Sequence, residues 1–197
     1  MTALEFAAEP WDYLAASGAV DLEHELVQSA ASVLRTGADI AYAKGAFELV
    51  RDRITHSMDV RDRRVTWRAS DVLREGTGLC YAKAHAFVAL LRAGGIQAGF
   101  CYQRLRADQG FVLHGLAAAL IDDRWVRLDP RGNRPGAAVV EFSADEDRLV
   151  YTPDPALGES DYRMVYADPH PAVLDVLKAH DDCVRMCETG GLPSAEL

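Results

Sequence analysis

Gly76-Thr77-Gly78-Leu79-Cys80-Tyr81-Ala82-Lys83-Ala84-His85-Ala86-Phe87-Val88-Ala89-Leu90-Leu91-Arg92-Ala93-Gly94-Gly95 is the stretch on which the fold turns. Two glycines permit a tight turn before it, a Gly-Gly pair stops it, and the residues between favour a helix. Apolar side chains fall all round the wheel, and only Tyr81, Lys83, His85 and Arg92 interrupt them, so the pattern predicts a buried central helix rather than a surface one. Cys80 then lies in the first turn, where free N–H groups and the helix dipole stabilise an anion. A thiol there ionises below its free pKa of roughly 8.5 and becomes a nucleophile. The competing reading is a buried structural cysteine, because free Cys is among the most buried residue types.

Upstream, Leu22, Leu26, Ala30, Val33 and Leu34 recur at helical spacing from Asp21 to Arg35, with Asp21 as N-cap and Glu23 in the first turn. A second helix is expected over 39–54, with Ile40, Ala43, Phe47 and Val50 on one face. Residues 1–20 read as a short helix or an ordered arm, and the charge-rich 59–68 as a solvated loop.

After Gly95 the period changes. Strands are expected at 96–105, 111–121 and 124–129, joined by a turn at 107–110 and a tight turn at Asp122-Asp123, an antiparallel meander. A turn centred between Asp122 and Asp123 places Leu120 opposite Trp125 and Leu116 opposite Asp129. His114 and Asp129 then share a face as diagonal neighbours, roughly 7–8 Å apart across the strand pair. A three-residue turn would send the carboxylate to the opposite face. Residues 130–136 are a loop, Ala137–Phe142 and Arg163–Tyr166 further strands around an acidic, Pro-rich excursion from 145 to 161, and 171–188 a C-terminal helix.

Composition narrows the function. Lys and Arg total 21 against 30 Asp and Glu, a net charge of −9, which disfavours nucleic acid and anionic membranes as partners. No apolar run reaches the ~18 residues of a membrane span. The length of 197 residues suits one domain. With no basic, apolar leader, the four cysteines (Cys80, Cys101, Cys183, Cys187) are expected reduced, in the cytoplasm. His180, Cys183 and Cys187 fall on one stripe of the expected C-terminal helix, but three ligands from a single helix are too little for a metal site. No phosphate loop or dinucleotide fingerprint is present, and no cofactor is expected.

A thiol at a helix start, followed by a histidine and an aspartate on one face of a hairpin, supplies nucleophile, base and orienting carboxylate. In these pieces the chain resembles the transglutaminase-like superfamily in its compact bacterial form. The resemblance rests on Gly76-Thr77-Gly78-Leu79-Cys80, on Ala89–Gly99, on His114 and on Trp125-Val126-Arg127-Leu128-Asp129-Pro130. It implies an α+β fold related to that of papain-like peptidases, with N-terminal helices and a buried central helix packed on an antiparallel sheet. It further implies a Cys–His–Asp triad of Cys80, His114 and Asp129, and acyl transfer through a thioester to an amine or water. The substrate would be a peptide, a protein or a small amide. The Cys80 N–H would serve an oxyanion hole, with Gln103 and Tyr102 as candidates for a second donor and Arg131 as a substrate contact. Gly115-Leu116 follow the histidine where a small residue and then an aromatic are commoner, and Arg131 stands where a threonine is commoner. The rival readings are a cysteine peptidase using the same three residues and a non-catalytic binding module that keeps the fold. His85 reads as a core histidine, His56 as a loop or helix-end residue, and Cys101 as structural.

Overall fold

The computed structural model describes residues 3–35, 37–108, 110–132 and 139–197. In chain order the elements are β1 (Glu5–Phe6), a 3-10 turn (Pro10–Leu14), α1 (Glu25–Leu34), α2 (Asp39–Arg53), β2 (Thr55–His56), α3 (Ala69–Glu75), β3 (Thr77–Gly78) and α4 (Cys80–Ala93). Strands β4 (Ala98–Ala107), β5 (Gly110–Ile121) and β6 (Arg124–Leu128) follow. A 3-10 turn (Pro155–Leu157), β7 (Ser160–Asp161), β8 (Met164–Val165), α5 (Pro171–Ala179) and α6 (Cys183–Glu188) complete an α+β fold.

The all-round apolar wheel of α4 behaves as its sequence predicts: every residue from Cys80 to Arg92 is buried, and α1, α2, α3, β4 and β5 pack against it. Each fully buried Phe or Leu on it, such as Phe87, Leu90 and Leu91, is worth about 1.5–3 kcal/mol. Its polar interruptions carry connections. The Arg92 guanidinium donates to the carbonyls of Ala15, Ala98 and Ala167, which ties the N-terminal arm and the segment after β8 to one helix. His85 donates from Nδ1 to the Trp67 carbonyl at 2.7 Å, and burial pushes its pKa down to about 4, so it is a core histidine.

Sheet order is β6-β5-β4-β7, all antiparallel. Asp122 and Asp123 both adopt positive φ, +48° and +60°, the two-residue turn that matches strand twist. Leu120 accordingly pairs with Trp125, the register expected from the sequence. One face of the sheet joins the core around α4; the other, with Cys101, Leu116 and Ala118, is covered by Tyr13, Val165 and Trp125. Residues 3–20 are thus an ordered arm, held by parallel pairing of β1 with β8.

Several expectations fail for local reasons. Asp21 does not cap α1, because its carboxylate accepts from the Ser70 N–H; His24 caps instead, accepting from Leu26 N–H. Ile40 is exposed rather than on the buried face. Of the strand expected at 137–142, residues 139–142 are not strand and 137–138 lie outside the described residues, as does most of the loop expected at 130–136. The C-terminal helix breaks after Ala179: His180 is extended and Asp182 caps a second helix by accepting from Arg185 N–H. His180 therefore shares no helix with Cys183 and Cys187. Among the described residues no helix is long and apolar enough to cross a membrane.

Gly94 ends α4 beneath the Tyr42 ring, and an added Cβ would lie 2.1 Å from the ring edge. Tyr42 cannot retreat cheaply, since its hydroxyl donates to the Leu90 carbonyl and Arg35 stacks over its ring at 5.1 Å. Gly94→Ala should destabilise the fold by about 1–3 kcal/mol in urea unfolding, as overpacking does. An unchanged midpoint would show that this contact yields freely.

Candidate active site

Cys80 is the first residue of α4, and no side chain caps that end of the helix. The first-turn N–H groups are thus available to an anion. Strand β5 crosses directly over this turn because residue 115 is glycine: a Cβ there would sit 2.8 Å from the Tyr81 ring and 3.2 Å from its Cα. The Tyr81 hydroxyl donates to the Leu113 carbonyl and fixes the approach. Gly115 N–H in turn donates to the Cys80 sulfur at 3.4 Å. The small residue after the histidine is thus the one that lets strand and helix touch.

His114, one residue earlier, bonds through Nε2 to Asp129 Oδ2 at 2.8 Å. That leaves Nδ1 for the thiol. Asp129 is fully buried and accepts two more bonds, from the N–H groups of Val150 and Arg131, both at 3.1 Å. The expected diagonal neighbours have become a direct contact.

Charge follows from this geometry. Burial alone would raise the Cys80 pKa, but the charge and hydrogen bond of His114, and then those of His56, lower it to about 6. Burial opposes charge on His114 too; Asp129 and Cys80 overcome it and hold the ring well above its ordinary value. Asp129, despite burial, is held below the usual carboxylate range by His114 and two backbone amides. The arrangement favours a thiolate beside an imidazolium.

The sulfur lines a cavity of about 190 Å³ whose other walls are mostly apolar, among them Met58, Leu105, Leu113, Tyr151 and Leu192. Arg131 reaches it, yet its guanidinium is bound bidentately to Asp59 at 2.7 and 2.8 Å. Gln103 and Tyr102, the expected second oxyanion donors, lie elsewhere. Gln103 is the strand partner of His114, but its amide donates to Asp161 at 3.2 Å and it lines a neighbouring cavity with Arg127. The Tyr102 hydroxyl accepts from His170 N–H at 2.9 Å.

Three contributors were not legible as such. His56 lines the thiol cavity, brought there by a two-residue parallel ladder that sets it opposite Gly78. Tyr151, from the excursion at 145–161, packs edge-on against the His114 ring at 4.9 Å. Lys83, fully buried, donates to the carbonyls of Ile54 and Arg51 at the end of α2, and burial, then the Arg131 charge, pull its pKa down to about 7. A lysine inside an apolar wheel is the one sequence sign of such a partner.

A protein from Cytophaga hutchinsonii, assigned as a cysteine protease, is similar in structure over 62% of this chain and 42% of its own, at 18% identity and a TM-score of 0.53. One from Parabacteroides distasonis, assigned as a protease, is similar over 55% of this chain and 25% of its own, at 15% identity and a TM-score of 0.40. A TGase structure is similar over 75% and 42%, at 16% identity and a TM-score of 0.44. This chain therefore spans less than half the length of each. At these identities likeness shows fold alone, and the first of the three carries that point. No curated protein matches the sequence. The family model of the transglutaminase-like superfamily matches residues 26–130, which hold Cys80, His114 and Asp129. That span is more than half of the chain, and the protein belongs to the transglutaminase-like superfamily.

Proposed function

We propose that this protein is a cysteine-dependent enzyme that transfers or hydrolyses an acyl group through a thioester, with Cys80 as nucleophile, His114 as acid and base, and Asp129 as the group that orients His114. The observation that carries the reading is the 2.8 Å His114–Asp129 bond, in a site where His114 also acts on a sulfur at a helix start. The thiolate attacks the carbonyl carbon of a carboxamide, and the carbonyl oxygen takes up the electron pair. The uncapped N-terminus of α4, with Cys80 N–H foremost, faces that oxyanion. Collapse breaks the C–N bond; His114 gives its proton to the departing amine, and a thioester remains. Water or a second amine, losing its proton to His114, then attacks the thioester and releases the sulfur.

The apolar walls select the acyl donor. A compact aliphatic or aromatic group beside the carbonyl fits the cavity at Met58, Leu105 and Leu113; a charged one would be buried without a partner.

Iodoacetamide alkylation of Cys80 should rise with pH about a midpoint near 6, because the lowered pKa leaves thiolate above that value and thiol below it. A midpoint above pH 8 would remove the nucleophile from the proposal. Asp129→Asn keeps the shape but no longer holds the ring in the tautomer that presents Nδ1 to sulfur. It should lower kcat roughly 10⁴-fold on a short p-nitrophenyl ester, as the orienting carboxylate of a triad does. Activity within tenfold of the parent would show that His114 needs no orientation. Leu192→Glu places a charge on the cavity wall and should raise KM for aliphatic esters about tenfold while kcat changes little.

A further inference from the structure

Two carboxylate–histidine pairs flank the one sulfur. His114 and Asp129 come from the β5–β6 hairpin. His56 and Asp59 come from β2 and the turn after it, and the β2–β3 ladder holds His56 opposite Gly78, two residues before Cys80. His56 is nearly buried, with 11% of its side chain exposed, lines the same cavity as Cys80 and acts on its sulfur by charge and hydrogen bond. Its Nδ1 is buried without a hydrogen-bond partner, so the contact with sulfur falls to Nε2.

The pairs differ in one measurable respect. Asp129 bonds its histidine at 2.8 Å, whereas Asp59 stands 3.9 Å from His56 Nδ1, beyond hydrogen-bond distance. Arg131 is the cause, since its guanidinium takes both Asp59 oxygens, at 2.7 and 2.8 Å. The same Arg131 donates its backbone N–H to Asp129, so one residue steadies the first carboxylate and holds back the second.

We infer that His56 is a second catalytic imidazole on Cys80, kept by the Arg131–Asp59 pair as a hydrogen-bond donor rather than a base. It steadies the thiolate in the resting enzyme. Once the sulfur has bonded to carbon and lost its charge, the same N–H turns to the new oxyanion beside Cys80 N–H. This supplies the second donor that Gln103 and Tyr102 do not. The inference rests on the acyl-transfer reading for that last step, but the thiolate contact stands apart from it.

The test uses the full chain and two readouts. The groups around the sulfur are His56 with Asp59 on one side, His114, Asp129, Arg131 and Tyr151 on another, Tyr81 on α4, Tyr102 on β4 and Cys187 from α6; of these, only His56 is changed first. His56→Ala should move the iodoacetamide midpoint of Cys80 up by about one pH unit and lower kcat on a p-nitrophenyl ester roughly 10²-fold, the loss of one oxyanion donor. His56→Gln, which keeps an N–H donor, should recover most of both, and urea unfolding of each variant separates a folding defect from a chemical one. An unchanged midpoint in a folded His56→Ala chain overturns the inference whatever the enzyme's substrate. So does a folded His56→Gln chain that is as slow as His56→Ala. Arg131→Met, which frees Asp59 to bond His56, should change the pH profile of kcat rather than merely scale it; a profile that keeps its shape overturns the role given to Arg131. A parent protein whose Cys80 is alkylated near pH 6 yet never forms a thioester would sink the acyl-transfer reading and leave the thiolate contact standing.

Discussion

The site depends on one close approach, the passage of β5 over the first turn of α4 at Gly115. Helix and strand backbones can touch there because no Cβ intervenes, and the contact sets the Gly115 N–H on the Cys80 sulfur and His114 beside it. Everything chemical follows from that distance. The gain of a charge pair falls with separation and rises as water is excluded. A methyl group at 115 would push the strand outward and weaken thiolate, imidazolium and helix dipole together.

The rest of the molecule reads as a clamp on this contact. Burial around α4 stabilises the fold, but apolar packing is non-directional and fixes no angle between helix and strand. Direction comes from the few polar groups inside: Tyr81 to the Leu113 carbonyl, Arg92 to the nearby Ala98 carbonyl and to those of Ala15 and Ala167 from distant parts of the chain, and Lys83 to the end of α2. Each would cost several kcal/mol if buried unpaired, so each specifies which segments lie beside the helix.

How much of this the sequence disclosed depends on the range of the interaction. The central helix, the hairpin and the register across Asp122-Asp123 are local, governed by glycine, periodicity and a two-residue turn, and they were legible. So was the candidate triad, whose members follow once that register is fixed. His56 was not, because its two-residue ladder pairs with residues 77–78 and leaves no alternating pattern to read. Nor was Tyr151, since an acidic, Pro-rich excursion gives no hint that it folds back through Arg127–Asp147 pairing to cover His114. The C-terminal helix misled for the opposite reason: its periodicity continues across a break that the Asp182 cap enforces.

A buried set of ionisable groups is a poor way to stabilise a protein. Desolvating two charges costs several kcal/mol each, and apolar replacements of equal volume are often neutral or better. Here Asp129 is fully buried, meets the charge of His114, and still takes two backbone N–H groups from Arg131 and Val150. Three donors on one carboxylate offset its desolvation and forbid it to turn, while Tyr151 against the ring forbids His114 to turn. Such over-determination does little for net stability, since packed aliphatic side chains would serve the core as well. It makes sense as a device that fixes where one proton goes, and that is why the excursion carrying Val150 and Tyr151 belongs to the site even though it carries none of the three side chains proposed to react.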